Sequence, residues 1–168
     1  MPTGTLISVE EYLATSYRPD CDYVDGHLEE RNVGEWDHGS LQAAIAAFFV
    51  VHRKRWGISV ATELRVQVKA NRFRVPDVCV VLGEPKEQVL TRPPFLCVEI
   101  LSPEDRMKRV QERIDDYLAM GVSYVWVLDP SDRHVYVATP AAGLQEFKGD
   151  VLRTENPELE LPLAEVFA

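Results

Sequence analysis

Apolar positions along the chain change their period several times, and each change marks an element. Ser8 followed by Glu11 is a capping-box pattern, so a short helix is predicted over residues 9–15. Asp25-Gly26 separates two short runs, residues 21–24 and 27–31, which predicts a β-hairpin. From Trp36 to Trp56, Leu41, Ile45, Phe48, Phe49 and His52 recur at helical spacing, with His38 on the same stripe near the helix start. Past Gly57 the period falls to two: Leu64, Val66 and Val68 alternate with Glu63, Arg65, Gln67 and Lys69, as in a strand with one wet face. Residues 75–82 and 95–101 are denser apolar runs, as expected of central strands covered on both faces.

Ser102-Pro103-Glu104 offers a cap and a first-turn proline for a helix over residues 103–120, which Gly121 ends. Strands over 124–128 and 134–138 flank the turn-rich Asp129-Pro130-Ser131-Asp132, and shorter ones are predicted at 144–147 and 159–161. The order helix, hairpin, helix, strands, helix, strands predicts an α/β fold with a mixed sheet flanked by helices. A chain of 168 residues without a linker-like shift in composition predicts a single domain over residues 1–168.

Composition changes this picture in two places. The formal net charge of −9 argues against a generic polyanion binder, because nonspecific nucleic-acid affinity comes from Lys and Arg neutralising phosphates. Any nucleic-acid role therefore needs a metal or a local basic patch. Positive charge is clustered at Arg53-Lys54-Arg55, at Arg72 with Arg74, and at Arg106, Lys108, Arg109 and Arg113, although each cluster also reads as a solvated face. Cys21, Cys79 and Cys97 are odd in number and lack metal-site spacing, which predicts reduced thiols. With no signal-peptide pattern and no apolar stretch of membrane-spanning length, a cytoplasmic protein is expected.

Asp77 and Glu99 each interrupt an apolar strand-like run. A half-buried carboxylate is costly unless it is paired, hydrogen-bonded or holding a metal. If residues 95–101 fold back antiparallel beside 75–82, the register that sets Asp77 opposite Glu99 also sets Cys79 opposite Cys97 and Val81 opposite Phe95, with all six side chains on one face. Two carboxylates so placed repel and must share a proton or a cation. Mg²⁺ commonly takes one or two protein carboxylates and leaves room for water and phosphate oxygens. A structural cluster, in which both carboxylates accept backbone or arginine hydrogen bonds, is the competing reading of the same spacing. A lone histidine on an apolar helix face, such as His38, is more often a hydrogen-bonded core residue than a base. With Gln42 one turn on, it would reach a site over the sheet.

Several of these motifs occur together. Pro76-Asp77, Glu99-Ile100-Leu101, Ser102-Pro103, Tyr117, Gly121-Val122, "YVWVLDP" at 124–130, "DYVDGHLEE" at 22–30 and His38 jointly resemble a small bacterial restriction-endonuclease family of the PD-(D/E)XK nuclease superfamily. The resemblance spans about residues 22–138. It implies a restriction endonuclease-like core and a Mg²⁺-dependent endonuclease that hydrolyses DNA phosphodiester bonds, with Mn²⁺ as a substitute ion. Asp77, Glu99 and the main-chain carbonyl of Ile100 would bind the metal, and His38, a catalytic candidate, would line the site without binding it.

The superfamily lysine two residues after the glutamate is Leu101 here, and the family's alternative lysine on the next helix falls on Arg113. Arginine stays protonated and can stabilise charge, but it is poorly suited to exchanging a proton with water. Met107, Val110, Ile114 and Leu118 form the predicted packed stripe of that helix, which sets Arg113 at its edge as the catalytic candidate and turns Lys108 towards solvent. The two replacements imply weak cleavage, or alternatively an impaired nuclease fold serving as a DNA-binding or protein-interaction subunit. The charge of −9 favours a third reading, a structural dimer without a nucleic-acid role. A homodimer is expected in any case, with "HVYVATP" at 134–140 and "LPLAEVFA" at 161–168 as either interface or ordinary core.

Overall fold

The structure, a computed structural model, describes residues 4–32 and 34–167. Short-range chemistry sets the first elements. Helix α1 (Val9–Ala14) starts where the Ser8 hydroxyl accepts the Glu11 amide at 3.1 Å. Strands β1 (Cys21–Val24) and β2 (His27–Glu30) turn at Asp25 and Gly26, whose φ values of 50° and 91° are the left-handed pair that a two-residue hairpin needs. Helix α2 (Trp36–Trp56) buries Leu41, Ile45 and Phe49 and ends at a left-handed Gly57.

The strand expected from the alternation of residues 63–69 is shorter, and a further strand precedes it. β3 (Ile58–Thr62) and β4 (Val66–Lys69) are parted where Glu63 takes a φ of 52°, and they join different sheets. The run 75–82 is also shorter than expected: β5 (Arg72–Arg74) ends ahead of Pro76, which lacks an amide for a ladder, and β6 (Val78–Leu82) begins after it. β7 (Leu96–Ile100) is buried throughout. Helix α3 (Met107–Met120) starts later than Pro103. The Asp105 carboxylate accepts the Ser102 amide at 2.8 Å while the Asp105 amide donates to the Ser102 carbonyl at 2.9 Å, closing a turn ahead of the helix. Met107 is accordingly 54% exposed, and the packed face is Val110, Arg113, Ile114, Asp116 and Tyr117. β8 (Tyr124–Leu128), β9 (Val135–Thr139), β10 (Gly143–Phe147) and β12 (Glu160–Pro162) follow the expected order, with β11 (Val151–Arg153) additional.

Six strands in the order β10-β9-β8-β7-β6-β3 form the main sheet, and β2-β1-β5-β4 form a smaller one. In the main sheet β7 and β8 run parallel, joined by the α3 crossover, while the other neighbours are antiparallel. Side-chain alternation sets one core cluster on each face of the main sheet, and Tyr12, Tyr23 and Phe73 form a third under the smaller sheet. Val78, Val80, Leu96, Val98 and Trp126 pack against Leu41, Ile45 and Phe49 of α2. Cys79, Cys97, Val125 and Val127 pack against Val110, Ile114 and Tyr117 of α3. This is the mixed sheet flanked by helices.

The β6–β7 register is Val78↔Val98, Cys79↔Cys97 and Val80↔Leu96, so Asp77 and Glu99 come next in line as expected. Phe95 departs from that expectation. It precedes β7 and packs on the α2 side, 5.5 Å from the Tyr124 ring, while Val81 packs on the α3 side. The three cysteines are free and buried, and burial pushes the Cys79 thiol up to about 12. Both proposed interface segments contribute to the core: β9 lies between β8 and β10, and Leu161 and Val166 belong to the α2-side cluster, while His134, Pro140, Ala164 and Glu165 are exposed. Ala168 lies outside the described residues. Among the described residues no helix is long and apolar enough to cross a membrane.

Candidate active site

Asp77 precedes β6 and Glu99-Ile100 close β7, so the antiparallel register brings both carboxylates to one end of the pair. Asp77 Oδ2 accepts the Ile100 amide at 2.7 Å. In an extended strand the N–H and C=O of one residue point to the same side, so the Ile100 carbonyl also faces the Asp77 side. The α3 side supplies Tyr117, whose hydroxyl donates to Glu99 Oε1 at 2.6 Å, and Arg113, whose Nε lies 3.6 Å from Glu99 Oε2. From the start of α2, His38 Nε2 comes within 3.4 Å of Asp77 Oδ1, and Gln42 donates to the Asp77 carbonyl at 3.0 Å. The structure thus brings together Asp77, Glu99, Ile100, Arg113 and His38. Lys108 is exposed and apart from them. Leu101, at the lysine position, packs with the α3-side cluster while its amide donates to the Leu128 carbonyl at 2.9 Å.

One residue that the sequence did not disclose joins both carboxylates. Arg31, immediately after β2, places Nη2 at 2.8 Å from Glu99 Oε2 and 3.4 Å from Asp77 Oδ1. Its guanidinium, although desolvated, is held firmly charged by Glu99, Asp22 and Asp77. Burial would raise the Asp77 carboxyl, but the His38 hydrogen bond and the Arg31 charge outweigh it and hold the group below the usual carboxylate range. His38 is raised in turn, chiefly by its hydrogen bond to Asp77. Burial and the Glu99 charge push the Tyr117 hydroxyl well up, so it stays a neutral donor. Tyr117 sits one turn beyond Arg113, and that i, i+4 spacing on the packed face could have marked it as a second Glu99 partner. Arg31 has no such signal, being 68 residues from Glu99 in sequence.

A second ionic layer supports the first. Arg74, 1% exposed, donates to Asp116 Oδ2 at 2.8 Å, to Asp22 Oδ2 at 3.1 Å and to Glu29 Oε2 at 3.1 Å, tying β5 to α3, β1 and β2. Asp22 also accepts the Val75 amide at 3.1 Å, just ahead of Pro76-Asp77. Arg74 is therefore internal, while Arg72, partly exposed, pairs with Asp116 inside and Asp25 outside. Arg53-Lys54-Arg55 lies in the last turn of α2, where cations complement the helix dipole. Arg106, Arg109 and Arg113 instead line a cleft of roughly 1280 Å³ together with Arg31, His38 and Asp77.

Two carboxylates and a main-chain carbonyl are hard oxygen donors that suit Mg²⁺ or Mn²⁺, and they leave the remaining positions to water or phosphate. Among the described residues no group of three or more His, Cys, Asp or Glu is placed to hold a metal ion, so side-chain ligands number two at most. The donor chemistry fits such an ion as an open, partly hydrated centre.

The family model for Uma2, described as "Putative restriction endonuclease", matches residues 9–167. The chain belongs to the Uma2 family. Among solved structures, this Uma2 chain is similar to the crystal structure of "a putative nuclease belonging to DUF820" from Anabaena variabilis ATCC 29413. The two share 23% identity with a TM-score of 0.80, over 96% of this chain and 97% of the other. That likeness supports the restriction endonuclease-like fold of the Uma2 chain. No curated protein matches it.

Proposed function

We propose that the chain is a Mg²⁺-dependent endonuclease that hydrolyses DNA phosphodiester bonds, and that it cuts slowly. The observation that carries this reading is the convergence of Asp77 and Glu99 on one guanidinium nitrogen, beside Ile100, in a cleft lined by arginines and carboxylates. A divalent ion held by Asp77, Glu99 and the Ile100 carbonyl would supply an activated water and charge stabilisation at the phosphate. The chain's own groups orient these ligands: the Ile100 amide fixes one Asp77 oxygen, and Tyr117 fixes one Glu99 oxygen. Arg106 and Arg109 border the cleft and would contact the DNA backbone, although Glu104 and Asp105 lie beside them in a chain of net charge −9.

None of the three candidates from the sequence, Leu101, Arg113 and His38, is suited to take the proton of the attacking water. Leu101 is apolar and packed, Arg113 cannot release a proton, and His38 is biased towards its charged form by Asp77. Arg113→Lys is therefore expected to raise the nicking rate about tenfold or more, a part of the range that general acid–base help spans. Initial rates on supercoiled plasmid in Mn²⁺ measure this; a slower Arg113→Lys variant would make arginine the working residue.

A second reading, an impaired nuclease fold acting as a DNA-binding or protein-interaction subunit, is favoured by Leu101 and by the ties of Arg113 to Glu99 and Asp105. Plasmid nicking in Mg²⁺, Mn²⁺ and chelator separates the two. Divalent-dependent nicks support the endonuclease, binding without nicks supports the subunit, and neither supports a structural dimer. We place the protein in the cytoplasm, where buried thiols stay reduced. A homodimer belongs to this proposal, because most soluble oligomers are two-fold and one small domain grips little of a duplex. Light scattering at micromolar concentration is expected to give the dimer mass, and a monomer mass refutes it.

A further inference from the structure

We infer that Arg31 is a tethered cation that occupies the metal position and competes with the divalent ion for Asp77 and Glu99. The inference rests on the metal reading proposed above. It starts from a geometric conflict. Mg²⁺ binds oxygen at about 2.0–2.1 Å and demands near-octahedral access, yet Arg31 Nη2 already stands 2.8 Å from Glu99 Oε2 and 3.4 Å from Asp77 Oδ1. An ion between those oxygens would meet the guanidinium nitrogen at contact distance and repel its charge.

Two other partners of the carboxylates do not conflict, since the Ile100 amide and the Tyr117 hydroxyl use the other oxygens, Asp77 Oδ2 and Glu99 Oε1. His38 shares Asp77 Oδ1 at 3.4 Å but does not reach Glu99 as Arg31 does. Arg113 is farther off, at 3.6 Å from Glu99, and is shared with Asp105 at 3.4 Å. Arg31 is the cation touching the facing oxygens of both residues, and it also has somewhere to go. Its backbone is anchored by the amide that donates to the Asp20 carbonyl at 2.7 Å, while its side chain is 14% exposed and borders the cleft. A rotation of the side chain alone vacates the position. Arg31 relieves the repulsion between two buried carboxylates, and a metal would have to displace that compensation.

The test is isothermal titration of Mn²⁺ into the full chain and into Arg31→Gln and Arg31→Lys. Removing a positive charge a few ångströms from a divalent ion is expected to tighten Mn²⁺ binding by about tenfold or more in Arg31→Gln, while Arg31→Lys, which keeps a tethered cation, stays near wild type. Should Arg31→Gln require Mn²⁺ to fold, thermal melting gives the same answer: a larger Mn²⁺-induced rise in Tm than wild type supports competition, and an equal or smaller rise overturns it. Wild-type binding that Arg31→Gln leaves unchanged or weakens overturns the inference alone, making Arg31 a residue that positions the carboxylates. No Mn²⁺ binding by any of the three overturns it together with the metal reading.

Discussion

Asp77→Asn is expected to abolish divalent-dependent DNA cleavage, by on the order of 10³-fold or more, the scale of losing one preorganised charge contact in a transition state. The substitution keeps the shape of the side chain and an oxygen able to accept the Ile100 amide, which approaches Asp77 at 2.7 Å. It turns the anionic oxygen facing Arg31 and His38 into a neutral group and removes one of two charged ligands of the proposed ion. The fold should persist with a loss of about 1–3 kcal/mol, the usual cost of leaving buried polar groups without a partner. Nicking rates, Mn²⁺ titration and a melting curve on the same preparation check this, and a folded Asp77→Asn protein that cuts like wild type removes Asp77 from the chemistry.

The same substitution alters acid stability in a definite direction. The folded Asp77 carboxyl lies below its ordinary range, so its ionised form contributes stability that is present above the unfolded carboxylate value and fades as the pH falls through the folded one. Asp77→Asn removes that branch of the acid transition.

How far the sequence discloses this site depends on the range of the contact involved. Alternation within two strands and one assumed pairing places Cys79 across from Cys97, and from there Asp77 beside Glu99, because a register has only one degree of freedom once both runs are central. Arg113 is readable from its offset along the helix. Arg31 is not, since its contact with Glu99 is made between the hairpin of one sheet and a central strand of another, and no periodicity reports how two sheets meet. The competing reading of the carboxylates as arginine-paired is realised in this respect, although the arginine came from outside every motif.

The fold divides in a similar way. The hairpin at Asp25-Gly26 and the α2 stripe are local and appear where expected. The breaks at Glu63 and Pro76 escape a reading by hydrophobicity, because Leu64 and Val75 continue the apolar pattern while the backbone leaves one sheet for the other. Pro103 points to a helix start, but the Asp105 carboxylate captures the Ser102 amide first and delays it.

Arg74→Met is expected to be the most damaging change to stability, at about 3–5 kcal/mol, the range for removing one partner of a buried ion pair. The methionine fills much of the space, so the loss comes from charge and not from a cavity. Asp22 and Asp116 would remain as buried carboxylates, and they would not suffer equally. Asp116 still has Arg72 at 3.0 Å and Lys69 at 3.6 Å, whereas among the described residues the hydrogen bond left to Asp22 is that of the Val75 amide at 3.1 Å, with Arg31 acting on it through charge alone. Asp22→Asn in the Arg74→Met background should therefore recover part of the loss, while Asp116→Asn in that background should recover less, an asymmetry that a double-mutant cycle reads directly. Urea unfolding with an unchanged m-value is the measurement. A loss below about 1 kcal/mol, the level of an ordinary substitution, would show that the network is dispensable. The effect should also reach the chemistry, because Asp22 holds the backbone just ahead of Asp77 and Asp116 adjoins Tyr117, the residue that fixes Glu99.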